Sequence, residues 1–151
     1  MLMELALESM SNEVGVISRA LNIFERYGVS VEHIPTGVDS FGVVVAADEV
    51  RDTIYSIVAD IRREIKPDDI TMLDKIALIS VVGRNMSRRS GTSGKIFGVL
   101  GNAGINIRMI TQSSEEISII MGVDNSDFER AIKVIYEGFV RDEMVSSPKA
   151  R

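Results

Sequence analysis

The sequence contains no cysteine and no tryptophan, and its 151 residues include one histidine and three prolines. Without cysteine, disulfide bonds, thiolate metal sites and a cysteine nucleophile are excluded. Only 5% of the residues are aromatic and the formal net charge is −5. This charge argues against nucleic acid as the main partner, because phosphate binding depends on an excess of lysine and arginine.

Long hydrophobic stretches are also missing. The longest apolar runs, Phe41–Ala47 and Ile76–Val82, are far shorter than the roughly 20 residues that a membrane helix needs. The N-terminus lacks the charged, apolar and small-residue pattern of a secretory signal. We therefore expect a cytoplasmic protein without a membrane partner, built as one ordinary domain or as two domains of about 70 residues.

The second half of the chain repeats the first. Gly15 and Gly28 recur as Gly91 and Gly104 at one common offset, and apolar residues recur around them in the same register. A period of about 75 residues is too long for a solenoid and suits two copies of one small domain. The sequence therefore predicts an internal duplication, with domains at 1–74 and 75–151.

Within each copy, apolar residues alternate as in strands or recur at helical spacing. The first helix of each copy is predicted to end at Gly28 or Gly104, where glycine takes the left-handed conformation. The predicted strands are 3–8, Val29–Ile34, Phe41–Ala46 and Ile70–Leu73 in the first copy and Ile76–Val82, Ile105–Ile110 and Ile117–Val123 in the second, and the second helices are Val50–Lys66 and Asp127–Phe139.

This order is β-α-β-β-α-β, the ferredoxin-like arrangement of the α+β class, in which two helices cover one face of an antiparallel sheet. The second copy lacks an obvious last strand, because Val140–Arg151 is polar and alternates little. An open sheet edge invites pairing, so we expect another segment to complete this sheet.

Residues for catalysis are few. The lone histidine, His33, has no serine or cysteine nucleophile in its context, and a structural or binding role is favoured over that of a general base. The adjacent acidic pairs Asp68–Asp69 and Glu115–Glu116 suit solvated turns better than a metal site. We therefore assign no catalytic and no metal-binding residues, and an independent enzyme is the least favoured reading.

The loops that lead from a strand to a helix offer a different chemistry. Unpaired backbone N–H groups at a helix start can hold a carboxylate, and Gly15 lets a small ligand approach the backbone. Asn12 can donate and accept hydrogen bonds, and Glu13, Glu32 or Asp39 could hold an ammonium group. A free amino acid has this polarity, although the same residues also suit ordinary turns and caps.

A family resemblance gives this pattern a context. Residues Gly28–Ser40 resemble the first ACT domain of aspartokinases, and Val81–Met86 with Gly104–Gln112 resemble the second. The resemblance extends to about Phe139. The family's kinase domain, with its Lys-Phe-Gly-Gly signature and its ATP and aspartate sites, is absent from the sequence. The resemblance therefore implies a regulatory region with no cofactor of its own, since ATP and Mg²⁺ would belong to the kinase domain.

The resemblance also implies a mechanism, in which a pathway end product binds an ACT-domain dimer and inhibits the phosphorylation of aspartate. Lysine is the favoured effector and threonine the second choice. The kinase domain and a second copy of the chain are the implied protein partners. Carried over position by position, the effector-binding residues are Met10, Asn12, Glu13, Gly15, Val16, Ile17, Val31, Glu32, Thr36, Asp39 and Ser40.

Three departures from the family pattern leave specific questions open. Ser90 and Ser113 replace residues usual in relatives, so the second copy's ability to bind ligand stays open. Glu13, where some relatives have serine, leaves the choice between lysine and threonine open.

In the family, a strand that precedes the first ACT domain completes the second sheet. The alternatives to a kinase-linked region are a stand-alone amino-acid sensor, a separate regulatory subunit and, less favoured, a ferredoxin-like RNA-binding module.

Overall fold

The computed structural model describes residues 1–6, 14–83, 90–112 and 118–146, and for 140–146 it describes the backbone only. The chain divides into two compact units, Met1–Lys75 and Ile76–Arg151. Three of the predicted effector-binding residues, Met10, Asn12 and Glu13, lie outside the described residues.

The first unit is a four-stranded antiparallel sheet with two helices. The strand order is β2-β3-β1-β4, and every neighbouring pair is antiparallel. Its elements are β1 (Leu2–Ala6), α1 (Val16–Arg26), β2 (Val31–His33), β3 (Ser40–Val45), α2 (Ile54–Glu64) and β4 (Asp69–Leu73).

The core of the first unit lies between the helices and one face of the sheet. Met3 and Leu5 alternate with the exposed Glu4 along β1, so the two apolar side chains point toward the helices. On α1, Ala20 and Phe24 are fully buried at a spacing of four residues, as an amphipathic helix requires. Burying each large apolar side chain contributes about 1.5–3 kcal/mol, and this burial holds α1 on the sheet.

A charged cluster joins the end of α1 to α2 on the solvent side. Arg26 donates to Glu64 at 2.7 Å and to Asp60 at 3.4 Å, and Arg63 forms an ion pair of 2.6 Å with Asp60. The hydrogen bond from Arg26 lowers the pKa of Glu64. The hydrogen bond from the Tyr27 hydroxyl to Asp60 raises the pKa of Tyr27. These contacts link the end of α1 to α2 at the surface, beside the apolar packing of the two helices on the sheet.

The second unit repeats this plan with one strand fewer among the described residues. Its sheet has the order β5-β7-β6, and Ile96 and Leu100 of its first helix are fully buried beneath the sheet. Its elements are β5 (Ile76–Val82), α3 (Thr92–Asn102), β6 (Ile107–Gln112), β7 (Ser118–Asp124), a 3-10 helix (Asn125–Asp127) and α4 (Phe128–Ser146).

The predicted fold is confirmed as α+β with two ferredoxin-like domains in tandem. β5 occupies the place that β1 has in the first unit, but in the described part of the chain only β7 pairs with it. In the first unit β4 lies on the other side of β1. The described residues supply no strand at the corresponding position beside β5, where the sequence predicts that the second copy lacks its last strand. The left-handed conformation expected at Gly28 and Gly104 is present, with φ of 67° at both.

Several predicted boundaries were wrong. The helix predicted to end at Phe139 continues to Ser146, because no glycine or proline interrupts residues 139–147. The helix predicted from Val50 begins at Ile54, because turn hydrogen bonds to the Val50 carbonyl precede it.

Strand limits moved as well. β2 is shorter than predicted and β6 begins two residues later, and the pairing of each strand carries a register shift near its start. β1 begins at Leu2, β4 at Asp69 and β7 at Ser118.

Candidate functional site

The start of α1 is the first part of the candidate site. Gly15 precedes the helix with φ of 77° and ψ of 14°, and as a glycine it has no side chain of its own to cap the helix start. A side chain in this left-handed conformation is strained, so glycine is required here by its backbone. Among the described residues, none would lie within 4 Å of a Cβ atom on Gly15.

Val16 and Ile17 contribute to this turn mainly through their backbone. Val16 is 3% exposed and belongs to the core, and the half-buried Ile17 packs against that core. These side chains fix the helix start on the sheet. What Val16 offers to a ligand at this turn is its backbone N–H.

The turn between β2 and β3 supplies polar groups at one end of the sheet. Thr36 pairs with Phe41 through an isolated bridge, and Asp39 lies exposed in the turn. Ser40 begins β3 opposite Ala6, the last residue of β1. Thr36, Asp39 and Ser40 therefore share the sheet end from which the chain leads from β1 toward α1.

Helix length places the start of α1 at this same end. Val31 follows α1 after a short turn and pairs with Val45, and Val45 is bonded to Met1 at the opposite end of the sheet. An 11-residue helix spans about 16 Å. The steps along β3 from Val45 to Ser40 cover about 17 Å. α1 therefore begins near the end that carries Ser40.

Val31 lies at the opposite end of the sheet from Thr36, Asp39 and Ser40. It lines a mainly apolar groove of about 490 Å³ at the far end of α1. Glu32 lies beside it on β2 with an exposed side chain. Besides Val31, the groove is lined by Leu21, Asn22, Glu25, Gly28, Val29 and Ser30.

The structure adds Glu4 to the candidate site. The Ser40 hydroxyl donates a 3.1 Å hydrogen bond to the Glu4 Oε1 atom, so this carboxylate lies beside Ser40 on the sheet face that points away from the helices. Sequence reasoning missed Glu4 because the pairing of β1 with β3 was unknown. The alternation of apolar Met3 and Leu5 around Glu4 could have indicated that its side chain points away from the core.

The second unit has a similar helix start. Gly91 precedes α3 with φ of 87°, and the Lys95 N–H donates to the Gly91 carbonyl at 2.9 Å. The Lys95 ammonium lies 4.6 Å from the centre of the Phe139 ring on α4. The two units therefore share a backbone motif and surround it with different side chains.

Other kinds of site were sought in the same residues. His33 lies on β2, half-buried, with its backbone paired to Val44. Within the described ranges, no group of three or more histidine and acidic side chains could hold a metal ion. None of the helices in these ranges is long and apolar enough to cross a membrane.

Comparison with known proteins agrees with the fold. A family model described as an ACT domain matches residues 79–139. The structure of the aspartate kinase of Clostridium acetobutylicum superposes with a TM-score of 0.87 at 38% identity, over 91% of this chain and 32% of that one. A structure of aspartokinase alpha and beta subunits superposes with a TM-score of 0.74 at 26% identity, over 91% of this chain and 92% of that one.

The curated sequence matches identify the same group. Aspartokinase 3 of Bacillus subtilis is 31% identical over 138 residues, which are 91% of this chain and 30% of that protein. The fold and the family match define the chain as a pair of tandem ACT domains. It belongs to the regulatory regions of the aspartokinase family. The chain spans about 30% of the length of the curated aspartokinase that it matches.

Proposed function

We propose that the first unit binds a free amino acid at the start of α1 and that binding inhibits an associated aspartate kinase domain. The observation that carries the proposal is the helix start at Gly15, which is left-handed, has no side chain of its own to cap the helix, and has no described residue within 4 Å of a Cβ atom placed there. The effector's carboxylate accepts hydrogen bonds from this turn, because helix starts carry unpaired N–H groups and positive partial charge.

An acidic group at the same sheet end would hold the effector's positive charge. Asp39 lies exposed in the turn at this end, whereas Glu4, on the other face of the sheet, is fixed by its hydrogen bond with Ser40. An exposed carboxylate near the site favours lysine, which carries a second ammonium group, over threonine. The proposed effector is therefore lysine, with threonine as the second candidate.

Regulation would act through an interface between two copies of the chain. We propose that the copies pair sheet edge to sheet edge through their first units, whose outer strands are β2 and β4. A ligand that binds one arrangement of this interface better than another shifts the population between them. Such coupling typically amounts to about 1–3 kcal/mol, enough to change the active fraction of a tethered kinase domain severalfold.

Thermal unfolding of the chain with a panel of free amino acids tests the proposal. An effector present at about 100 times its dissociation constant adds ~2.7 kcal/mol of stability, which raises the melting temperature by several degrees. We expect L-lysine to give this shift and norleucine, which lacks the second ammonium group, to give none. The same melting temperature with every amino acid would exclude binding with a Kd of about 1 mM, a binding free energy of about −4.1 kcal/mol, or tighter, and would contradict the proposed site.

A separately made regulatory subunit is the main alternative assignment. It is supported by the alpha and beta subunit structure, one chain of which this sequence covers over 92% of its length. Co-expression with a kinase domain encoded separately would distinguish the two arrangements, because only a subunit forms a stable complex without a covalent link.

The RNA-binding alternative has less support. Such modules stack bases on aromatic side chains of the open sheet face. All eight aromatic residues of the chain are described, and Phe41 is the one that lies in a strand, where it is 1% exposed in the core.

We further propose that a segment outside these domains completes the sheet beside β5. No charged side chain interrupts Ile76–Val82, whereas exposed strand edges are normally protected by charge or covered. Exchange of the β5 amide hydrogens that point away from β7 should be fast in this chain and at least tenfold slower in a longer aspartokinase. Equal rates in both proteins would contradict strand addition.

A further inference from the structure

One side chain controls the turn that leads into α1. Arg19 donates from its Nη1 atom to the Val14 carbonyl oxygen at 3.1 Å. Its backbone N–H donates to the carbonyl oxygen of the next residue, Gly15, at 3.0 Å. The Arg19 Nε atom is buried, so the base of the guanidinium is held within the protein. A single residue of the first helical turn thus fixes two consecutive peptide groups.

Because the peptide group is planar, the direction of each carbonyl group determines the direction of the N–H group that follows it. In a trans peptide group the C=O and N–H bonds point in opposite directions. Because the Val14 carbonyl points toward the Arg19 guanidinium, the Gly15 N–H points away from it. Because the Gly15 carbonyl points along the helix, the Val16 N–H points out of the helix start. Neither donor is therefore turned into the helix.

We infer that Arg19 is a positioning residue for the amino-acid site: it aims the Gly15 and Val16 N–H groups at the effector's carboxylate. The inference rests on the proposed function and adds a residue that acts without touching the ligand. In the second unit the equivalent Lys95 has its ammonium over the Phe139 ring. Arginine suits the role because its planar fork reaches a carbonyl while its stem packs.

The test compares variants of the full chain by NMR titration with L-lysine and, in parallel, with L-threonine. Arg26→Ala is the matched control, since it removes an arginine from the other end of α1, where it pairs with α2. We expect the Gly15 and Val16 amide protons of the unmodified chain to move downfield on binding. Arg19→Ala should weaken affinity at least fivefold and lose the downfield movement at saturation, whereas Arg26→Ala should retain both.

Each outcome has a defined meaning. If the unmodified chain binds neither amino acid, the proposed function fails before Arg19 is considered. If it binds and Arg19→Ala has the same affinity and the same amide shifts, the positioning role is overturned and the proposed function stands. A lower melting temperature with unchanged amide shifts would likewise assign Arg19 a structural role only. Should Arg19→Ala not fold, Arg19→Gln, which keeps part of the stem but lacks the charge and reach, is held to the same criteria.

Discussion

The Tyr27 hydroxyl donates a hydrogen bond of 3.0 Å to the Asp60 Oδ2 atom and joins the end of α1 to α2. Arg26, the neighbouring residue, donates to Glu64 at 2.7 Å. The same helix therefore carries the candidate ligand turn at its start and a polar anchor at its end. This anchor makes the stability of the first unit depend on pH in both directions.

On the acidic side, the Arg26 hydrogen bond lowers the pKa of Glu64 below its ordinary value of 4.5. The folded-state pKa lies below the unfolded one, so the stabilisation is present above pH 4.5 and is lost as the pH falls through the folded value. Arg26→Ala should reduce the loss of stability in this window, measured as urea midpoints from pH 7 to pH 3. Parallel slopes for Arg26→Ala and the unmodified chain would contradict the expectation.

On the alkaline side, the hydrogen bond to Asp60 raises the pKa of Tyr27 above its ordinary value of 10.0. Its stabilisation is therefore present below pH 10 and is lost as the pH rises through the higher folded value. Tyr27→Phe should be less stable at pH 8 and should lose less stability between pH 9 and pH 11. The control is Tyr55→Phe, since Tyr55 is 80% exposed. If Tyr55→Phe altered the loss of stability between pH 9 and pH 11 as much as Tyr27→Phe, the hydrogen bond to Asp60 would not be its cause.

The left-handed glycines before α1 and α3 provide a matched pair for the ligand site. Gly15→Ala and Gly91→Ala each place a side chain in the left-handed region, which costs about 1–2 kcal/mol, and neither Cβ atom meets a neighbour. Both should lower the urea midpoint of their own unit by a similar amount. Only Gly15→Ala should also weaken the lysine response in thermal unfolding. A weakened response in Gly91→Ala alone would move the site to the second unit.

Two helical glycines in the second unit should respond in opposite directions to the same substitution. A Cβ atom on Gly98 of α3 would meet nothing, whereas one on Gly138 of α4 would lie 2.9 Å from the Val99 Cγ1 atom. Gly98→Ala should stabilise the unit by about 0.5–1 kcal/mol through helix propensity. Gly138→Ala should destabilise it by about 1–3 kcal/mol through overpacking between α3 and α4. Denaturant unfolding measures both, and an equal change in both would contradict the close helix crossing.

The sequence was sufficient for features that depend on local backbone and periodicity. The duplication, the strand and helix order and the left-handed Gly28 and Gly104 follow from spacing and from glycine's conformational freedom. That the described residues of the second unit supply no fourth strand was also predictable, because Val140–Arg151 lacks the apolar alternation of a strand.

Features that depend on strand register were not predictable. The contact of Ser40 with Glu4 exists because β3 pairs with β1 in one register. The separation of Val31 from the other candidates has the same origin, since it follows from the pairing of β2 with the far end of β3. Periodicity assigns a residue to a face, but it does not assign the neighbour across the strand.

Close packing contacts could not be predicted from the sequence either. A Cβ atom on Gly42 would lie 2.7 Å from Leu2 and 2.8 Å from Pro35, and one on Gly122 would lie 2.6 Å from Met109. These glycines have corresponding roles in the two sheets, although they do not align at the offset that reveals the duplication.

The uncapped start of α1 has a consequence for how such regulators diversify. The groups proposed to hold the carboxylate common to all amino acids belong to the backbone, while surface side chains such as Asp39 and Ser40 lie at the same sheet end. Substitutions at those surface positions leave the main-chain cradle intact, because it is held by Gly15, Val16 and Arg19. On this proposal, a few surface substitutions are enough to change which amino acid binds, while the core of the fold stays the same.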